Sequence, residues 1–167
     1  MLPPQAPSAS LYQVSWPEKR LKAQEDGFDA EMRIAVLDLP GIELVSSSMH
    51  QAIASTGIEC VRTSVDDIDD FDTLVMPLVG LDDHAHLSVL IGHVVETLKR
   101  VVELGRSNGD KTYRLVVLTA ECEGPGLPGT SSVGCGAVWG LMRTARIELP
   151  ARFSLLCIDT DADVLAA

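Results

Sequence analysis

The stretch GAVWGLMRTARIELPARFSLLCIDTD, residues 136–161, decides the fold of this chain. Its first half carries apolar residues at helical spacing, and Pro150 ends that pattern because proline cannot continue a helix. Its last part, FSLLCIDTD at 153–161, is typical of a strand, and YRLVVLT at 113–119 predicts another strand upstream of the helix. A strand, a helix and a second strand in succession predict a βαβ unit with two parallel strands.

The same alternation of strands and helices precedes this unit. The further predicted elements are a strand at 34–39, a helix at 42–56 capped by Gly57, a strand at 58–65, a strand at 73–80 and a helix with apolar positions from Leu87 to Val101. Pro77 favours a strand end or a sheet edge for its strand. We therefore expect an α/β protein with a truncated Rossmann-like, three-layer fold and a mostly parallel sheet.

Two segments at the start of the chain have their own character. The Pro/Ser-rich residues 1–10 are expected to form a flexible arm or linker, and LYQVSWP at 11–17 alternates like a short edge strand ended by proline. The folded domain is therefore expected to span residues 11–167. No sequence feature calls for a second domain at this length.

Composition excludes several classes of function. The 167 residues carry a net charge of −11, which argues against nucleic acid as a partner because phosphate binding needs clustered Lys and Arg. No run reaches the ~18 apolar residues of a membrane helix, so no membrane interaction is expected. The cysteines form no CxxC pair, and we expect reduced thiols in a cytoplasmic protein.

The motif GPGLPG at 124–129 matches the GxGxxG dinucleotide fingerprint but lacks its context. In a working fingerprint the first glycine directly follows the strand, and the helix begins within the motif so that its free N–H groups face the pyrophosphate. Here Glu121 and Glu123 lie beside the loop, and Pro125 and Pro128 remove two N–H donors. The first predicted strand offers only LPG, which is no phosphate cradle. We interpret 124–129 as a surface loop.

Other candidates for chemistry are equally weak. The tyrosines, Tyr12 and Tyr113, lie in predicted strands, so a reductase's helical Tyr with a partner four residues on is missing. The group of Asp82, Asp83, His84 and His86 is interpreted as a solvated helix start rather than a metal site. The acidic run at 66–72 is interpreted as a solvated connector, since it lacks the pattern of a calcium loop. The lone histidines His50 and His93 are expected at the surface. We assign no catalytic, cofactor-binding or metal residue.

Three pieces of the chain, LYQVSWP, YRLVVLT and the 136–161 stretch, together resemble the N-terminal structural subdomain of polyketide synthase ketoreductases. The resemblance implies a noncatalytic half that scaffolds a second half, which binds NADPH and reduces β-ketoacyl chains on an acyl carrier protein. It also implies neighbouring enoylreductase and dehydratase domains as partners. The chain departs from the family pattern at Leu149, where a His often precedes the proline, and in the loop at 124–129.

The helix at 136–149 offers a candidate interface for the catalytic half. Gly136 and Gly140 are small residues at helical spacing that let another backbone approach, and Trp139 is a large anchor beside Arg143. The alternative is that Trp139 and the glycines pack on the domain's own sheet. Two other functions stay open: a self-standing nucleotide-binding domain using 124–129, and an inactive ketoreductase relic that organises neighbouring synthase domains.

Overall fold

The computed structural model describes residues 32–78, 84–107, 111–120, 133–149 and 153–160. The elements in chain order are β1 (Ile34–Leu37), α1 (Glu43–Ser55), β2 (Cys60–Thr63), a 3-10 turn (Val65–Asp67), β3 (Thr73–Leu78), α2 (His84–Ser107), β4 (Tyr113–Ala120), α3 (Val133–Glu148) and β5 (Phe153–Thr160). Each corresponds to a strand or helix predicted above, with ends that move by a few residues, except for the added 3-10 turn.

The five described strands form one sheet in the order β2-β1-β3-β4-β5, and every neighbouring pair is parallel. This confirms the predicted α/β, Rossmann-like fold. From the central region of the sheet, the path leads from β1 outward to β2 and then crosses to β3 on the other side of β1. It continues outward through β4 to β5, which is the winding of a doubly wound sheet.

The strands β1 and β3 are fully apolar or buried, which suits their inner positions in the sheet. Every residue of IAVL in β1 and of TLVMPL in β3 is buried, as expected for a parallel strand covered on both faces. Pro77 lies in the central strand β3, beyond the last residue that pairs with β1, Val75. The predicted strand end is therefore right, and the alternative of a sheet edge is wrong.

Helix α1 covers one face of the sheet at β2, β1 and β3. Its residues Met49 and Ile53 pack against Ile34, Val36 and Val75. The N-terminal half of α1 is tied to the sheet by Ser46, whose buried hydroxyl donates a hydrogen bond of 2.8 Å to the Leu37 carbonyl.

Gly57 follows α1 with a φ of 80°, which is favourable for glycine and confirms the predicted cap. The helix itself ends at Ser55.

Helices α2 and α3 cover the opposite face of the sheet and enclose the larger core. Val94 and Val101 of α2 and Val138 and Met142 of α3 are at most 1% exposed, and they pack against alternate residues of β1, β3, β4 and β5. Gly105 of α2 lies directly against the ring of Phe153 at the start of β5. With α1 on the other face, the described residues form the predicted three layers.

The acidic segment at 66–72 is more constrained than a solvated connector. Asp69 is exposed, but its carboxylate accepts a 2.8 Å hydrogen bond from Arg100 of α2. Asp72 accepts a hydrogen bond from the Arg33 N–H and lies 3.2 Å from the Lys111 ammonium. These contacts join the segment to the start of β1, the start of β4 and α2.

Two of the predicted surface histidines are not simple surface residues. His50 is half-buried, and its Nε2 hydrogen bonds to the Cys60 carbonyl at 3.1 Å. The Nε2 of His93 is buried without a hydrogen-bond partner in the part of the chain that the structure describes. The helical spacing of α2 places His93 off its apolar stripe and so predicts an exposed ring. The side chain is instead half-buried.

The prediction of reduced thiols holds for part of the set. Cys60 and Cys157 are free, whereas Cys135 is disulfide-bonded, so the expectation of four reduced cysteines is wrong.

Several predictions fall outside the described residues: the arm at 1–10, the strand at 11–17, the glycine loop at 124–129, and the side chains of Asp82, Asp83, His84 and His86.

Candidate functional site

Helix α3 carries all four residues of the predicted interface. It lies between β4 and β5 in the chain, and its inner side contributes Cys135, Val138 and Met142 to the core. The opposite side is exposed at Gly136, Ala137, Gly140, Arg143, Thr144 and Ile147. Ile147 is 86% exposed and is the one large apolar side chain among these exposed residues.

Gly136 and Gly140 lie open on this outer side. A Cβ placed at either glycine would meet no atom within 4 Å, so neither is required to be small by a neighbour within the described residues. The described residues therefore leave the space above both glycines open. Gly134, two residues before Gly136, is buried and lies on another side of α3.

Trp139 faces the domain's own sheet instead. Its indole Nε1 donates a 3.1 Å hydrogen bond to the hydroxyl of Thr119, and Thr119 donates a 2.8 Å hydrogen bond to the Asp159 carboxylate. These two hydrogen bonds join α3 to the carboxyl ends of β4 and β5. The guanidinium of Arg143 lies 6.0 Å from the indole centroid, on the exposed side of Trp139. Trp139 therefore packs on the domain's own sheet, which was the alternative to the interface. Gly136 and Gly140 do not pack on the sheet.

Thr119 is the contact of Trp139 that the sequence did not reveal. It is completely buried, and its hydroxyl is held between the Trp139 indole and the Asp159 carboxylate. The three residues are far apart in sequence, and no spacing rule connects a Trp on one helix to a Thr and an Asp on two strands.

A groove of about 370 Å³ runs between α2 and α3 on the outer surface. Its floor is apolar, and its rim carries both signs of charge. The floor residues are Val95, Leu98, Val102, Leu141, Ala145 and Leu149, and the rim residues are Lys99, Glu103, Arg106, Thr144 and Glu148. The rim residue Thr144 lies one turn after Gly140 on α3, so the groove and the open glycines form a continuous surface. We call this surface the α2–α3 face.

The loop after β1 lies where a doubly wound sheet usually binds a nucleotide, at the switch point between β1 and β3. Here the Gly41 N–H donates a 3.0 Å hydrogen bond to the Glu43 carboxylate. Hydrogen bonds from the backbone N–H groups of Glu43 and Gly41 lower the pKa of Glu43, so the carboxylate is ionised. Pro40 has no N–H to offer. An ionised carboxylate therefore lies at this loop, where it would repel a diphosphate.

The described thiols are poor nucleophiles. Burial raises the pKa of Cys157, and the nearby guanidinium groups of Arg146 and Arg143 only partly oppose that rise. Burial also raises the pKa of Cys60. A thiol that stays protonated at neutral pH reacts slowly, since the thiolate is the nucleophile.

The described residues hold neither a metal-site cluster nor a membrane-spanning helix. No three His, Cys, Asp or Glu side chains come together as a metal site in the ranges that the structure covers. None of the helices in those ranges has the length and apolar character needed to cross a membrane.

Comparison with known protein families identifies the class of this domain. The family model described as "Polyketide synthase extender module SpnB, Rossmann fold domain" matches residues 14–167, which is nearly the whole chain. The chain therefore belongs to this family of Rossmann-fold domains from polyketide synthase extender modules. No curated protein matches the chain. The match confirms the resemblance to a polyketide synthase subdomain, and it makes this chain one domain of a multidomain module.

Proposed function

We propose that this domain is the noncatalytic structural half of a polyketide synthase ketoreductase. In this role it supports a second half that binds NADPH and reduces β-ketoacyl intermediates carried by an acyl carrier protein. The observation that carries the proposal is the α2–α3 face, an apolar groove beside two open glycines that the described residues leave uncovered. Its own residues supply binding, and the hydride and proton chemistry belongs to the partner half.

The shape of the α2–α3 face suits packing against helices. Open glycines let a partner backbone approach α3 closely, and the apolar floor between α2 and α3 offers a seat for large side chains. Ile147 adds an apolar side chain that gains from being covered. Small residues beside an apolar groove are a common arrangement for close helix packing.

The charges on the rim give the face selectivity. Lys99, Glu103 and Arg106 lie on α2, and Glu148 lies on α3 across the groove. A partner helix with the opposite arrangement of charges would gain ion pairs, whereas a partner with like charges would be repelled. Trp139 and Thr119 contribute indirectly, because their hydrogen bond holds α3 on the sheet and so fixes the position of the open glycines.

The test is association of this chain with a separately expressed NADPH-binding half from the same synthase. Gly140→Glu places a charged side chain where the partner backbone should approach, and the open space at Gly140 means that the domain itself still folds. We expect at least about tenfold weaker association, which corresponds to about 1.4 kcal/mol, measured by titration calorimetry. Reduction of a β-ketoacyl thioester by the mixture should fall in parallel.

The matched control is Ala54→Glu, which adds the same charge at an exposed position on α1, on the opposite face of the sheet. We expect this variant to bind the partner like the unmodified chain. Equal binding by the Gly140→Glu and Ala54→Glu variants would rule out the α2–α3 face as the docking surface. Trp139→Ala is a poorer probe, because it also removes the hydrogen bond to Thr119.

A further inference from the structure

The described sheet ends at β2 on one side and at β5 on the other, and these two edge strands differ in character. Strand β2 has four residues, and its Arg62 forms an ion pair with Asp38. Strand β5 has eight residues, pairs with β4 along its whole length and carries no charge in residues 153–158. Exposed edge strands are usually short, charged, bulged or interrupted by proline, because these features prevent pairing with another strand. Residues 153–158 have none of these features.

The outer edge of β5 therefore suits the addition of a further strand. Alternate backbone N–H and C=O groups of residues 154–158 point away from β4, where the described ranges supply no strand partner. An extended backbone presents donors and acceptors at the matching spacing. Leu156 and Ile158 alternate with the core residue Leu155, so they lie on the face of the sheet that α1 covers, and they are 44% and 40% exposed. An added strand would gain an apolar contact with both.

Two guanidinium groups flank this edge, one on each face of the sheet. Arg114 of β4 is exposed and lies beside Ser154 in the register, on the same face as Leu156. Arg146 of α3 is exposed on the other face. Burial raises the pKa of Cys157 in β5, and the nearby charge of Arg146 partly opposes that rise. Neither guanidinium forms an ion pair or a hydrogen bond with the residues that the structure describes.

Helical spacing places Arg146 on the side of α3 that overhangs the outer edge of β5. Thr144 and Glu148 line the groove against α2, and Arg146 is two residues from each of them, so it lies on the opposite side of the helix. Four residues before Arg146, Met142 packs on the sheet. The β5 edge is therefore separate from the α2–α3 face.

We propose that the outer edge of β5 is a strand-addition site for an extended, acidic and apolar segment of another part of the synthase module. The backbone of the added strand pairs with residues 154–158, and its apolar side chains cover Leu156 and Ile158. Its carboxylates pair with Arg114 on one face and with Arg146 on the other. This site goes beyond the proposed support of the NADPH-binding half and does not depend on it.

A second copy of this chain fits the edge less well. When two β5 strands pair antiparallel about a two-fold axis, the second strand brings only uncharged side chains to the face of Arg114: Ser154, Leu156, Ile158 and Thr160. Two copies, each with a net charge of −11, also repel each other at long range. An acidic segment of another part of the module supplies the carboxylates that β5 lacks on this face.

The first test uses nuclear magnetic resonance on the full 167-residue chain with two peptides as long as β5. One peptide alternates valine with glutamate, and the other alternates valine with lysine. The glutamate peptide should bind about tenfold more tightly and shift the amide signals of residues 154–158. Binding governed by the net charge of −11 would give the opposite order. Equal or reversed affinities, binding of neither peptide, or shifts confined to other residues would overturn the proposal.

The second test compares two substitutions that change the net charge by the same amount. Arg146→Gln should weaken binding of the glutamate peptide about threefold, as expected for one exposed ion pair. The control Gln51→Glu lies at an exposed position of α1, which packs on β1, β2 and β3, and should leave the affinity unchanged. Equal effects of the two substitutions would refute the role of Arg146.

Hydrogen exchange on the free chain completes the test. The outward amides of residues 154–158 should exchange rapidly in the chain alone and slowly with the glutamate peptide bound. Slow exchange in the free chain would refute the proposal, because the edge would then already be covered by this chain or by a second copy.

Discussion

The contact between Gly105 and Phe153 predicts that one substitution has opposite effects at two positions of the same helix. A Cβ built at Gly105 would overlap the far end of the Phe153 ring, with Cε1 at 2.7 Å and Cζ closer still. A Cβ built at Gly92, also in α2, would meet no atom within 4 Å. Gly105→Ala and Gly92→Ala therefore make the same chemical change in different surroundings.

The magnitudes follow from the two surroundings. Alanine is better than glycine in a helix by about 1 kcal/mol, so Gly92→Ala should raise the free energy of unfolding by about that amount. At Gly105 the same gain is opposed by displacement of the Phe153 ring. The displacement costs burial and weakens the stacking on Tyr113, whose ring centroid lies 6.4 Å away. With about 2–3 kcal/mol lost there, Gly105→Ala should be destabilising by about 1–2 kcal/mol.

Urea denaturation followed by circular dichroism measures both values, with thermal unfolding as a second reading. A third variant isolates the cause: in a Phe153→Leu background the overlap is relieved, and Gly105→Ala should then become neutral or stabilising. The reasoning is refuted if Gly105→Ala stabilises the original chain as Gly92→Ala does. It is also refuted if the Phe153→Leu background leaves the effect of Gly105→Ala unchanged.

Three further experiments test other parts of the fold. The first concerns Asp72, whose pKa is lowered from its ordinary value of 3.8. Burial alone would raise this pKa, but hydrogen bonds from the Arg33 N–H and from Lys111, together with the charges of both residues, lower it overall. The carboxylate of Asp72 therefore adds to the free energy of unfolding above about pH 4, and this contribution is lost as the pH falls through the lowered pKa. Asp72→Asn should be less stable at pH 7 and should lose less stability in acid. Urea midpoints from pH 7 to pH 2 measure both effects. A double-mutant cycle of Trp139→Phe and Thr119→Val should give a coupling energy of about 1 kcal/mol in urea denaturation, and strict additivity would contradict the hydrogen bond. Met142→Ala, at a side chain only 1% exposed, should cost about 2–5 kcal/mol in the same assay, and a loss below about 1 kcal/mol would show that α3 is not packed as described.

The elements of the fold were predictable because their signals are local. The run at 34–39 predicts a strand buried on both faces, and the helical spacing of Leu98, Val101 and similar residues predicts α2. The order of strands is not local information. That β1 lies beside β3 follows from the winding of the whole chain, which neither strand's sequence encodes by itself.

The candidate site was predictable only in part. Helical spacing correctly placed Gly136 and Gly140 on an exposed side of α3, but it could not show that Trp139 bonds to Thr119, 20 residues earlier. The groove beside the glycines was missed for the same reason. It exists because α2 and α3 lie side by side, and that arrangement is set by the sheet beneath them.

The pairing of the acidic segment was missed because it joins distant residues. Asp69 contacts Arg100, 31 residues away, and Lys111 binds Asp72 from the start of β4. Composition alone predicts a solvated run of carboxylates, and only the fold brings the cations to it.

The most direct measurement of the central claim is a titration of NADPH into this chain alone and into its complex with the NADPH-binding half. In the proposed function this domain supports the half that binds NADPH, and the ionised Glu43 at the loop after β1 would repel a diphosphate. Calorimetry should detect no saturable binding to the isolated chain and one NADPH site per complex. Saturable binding of NADPH to the isolated chain would contradict the account.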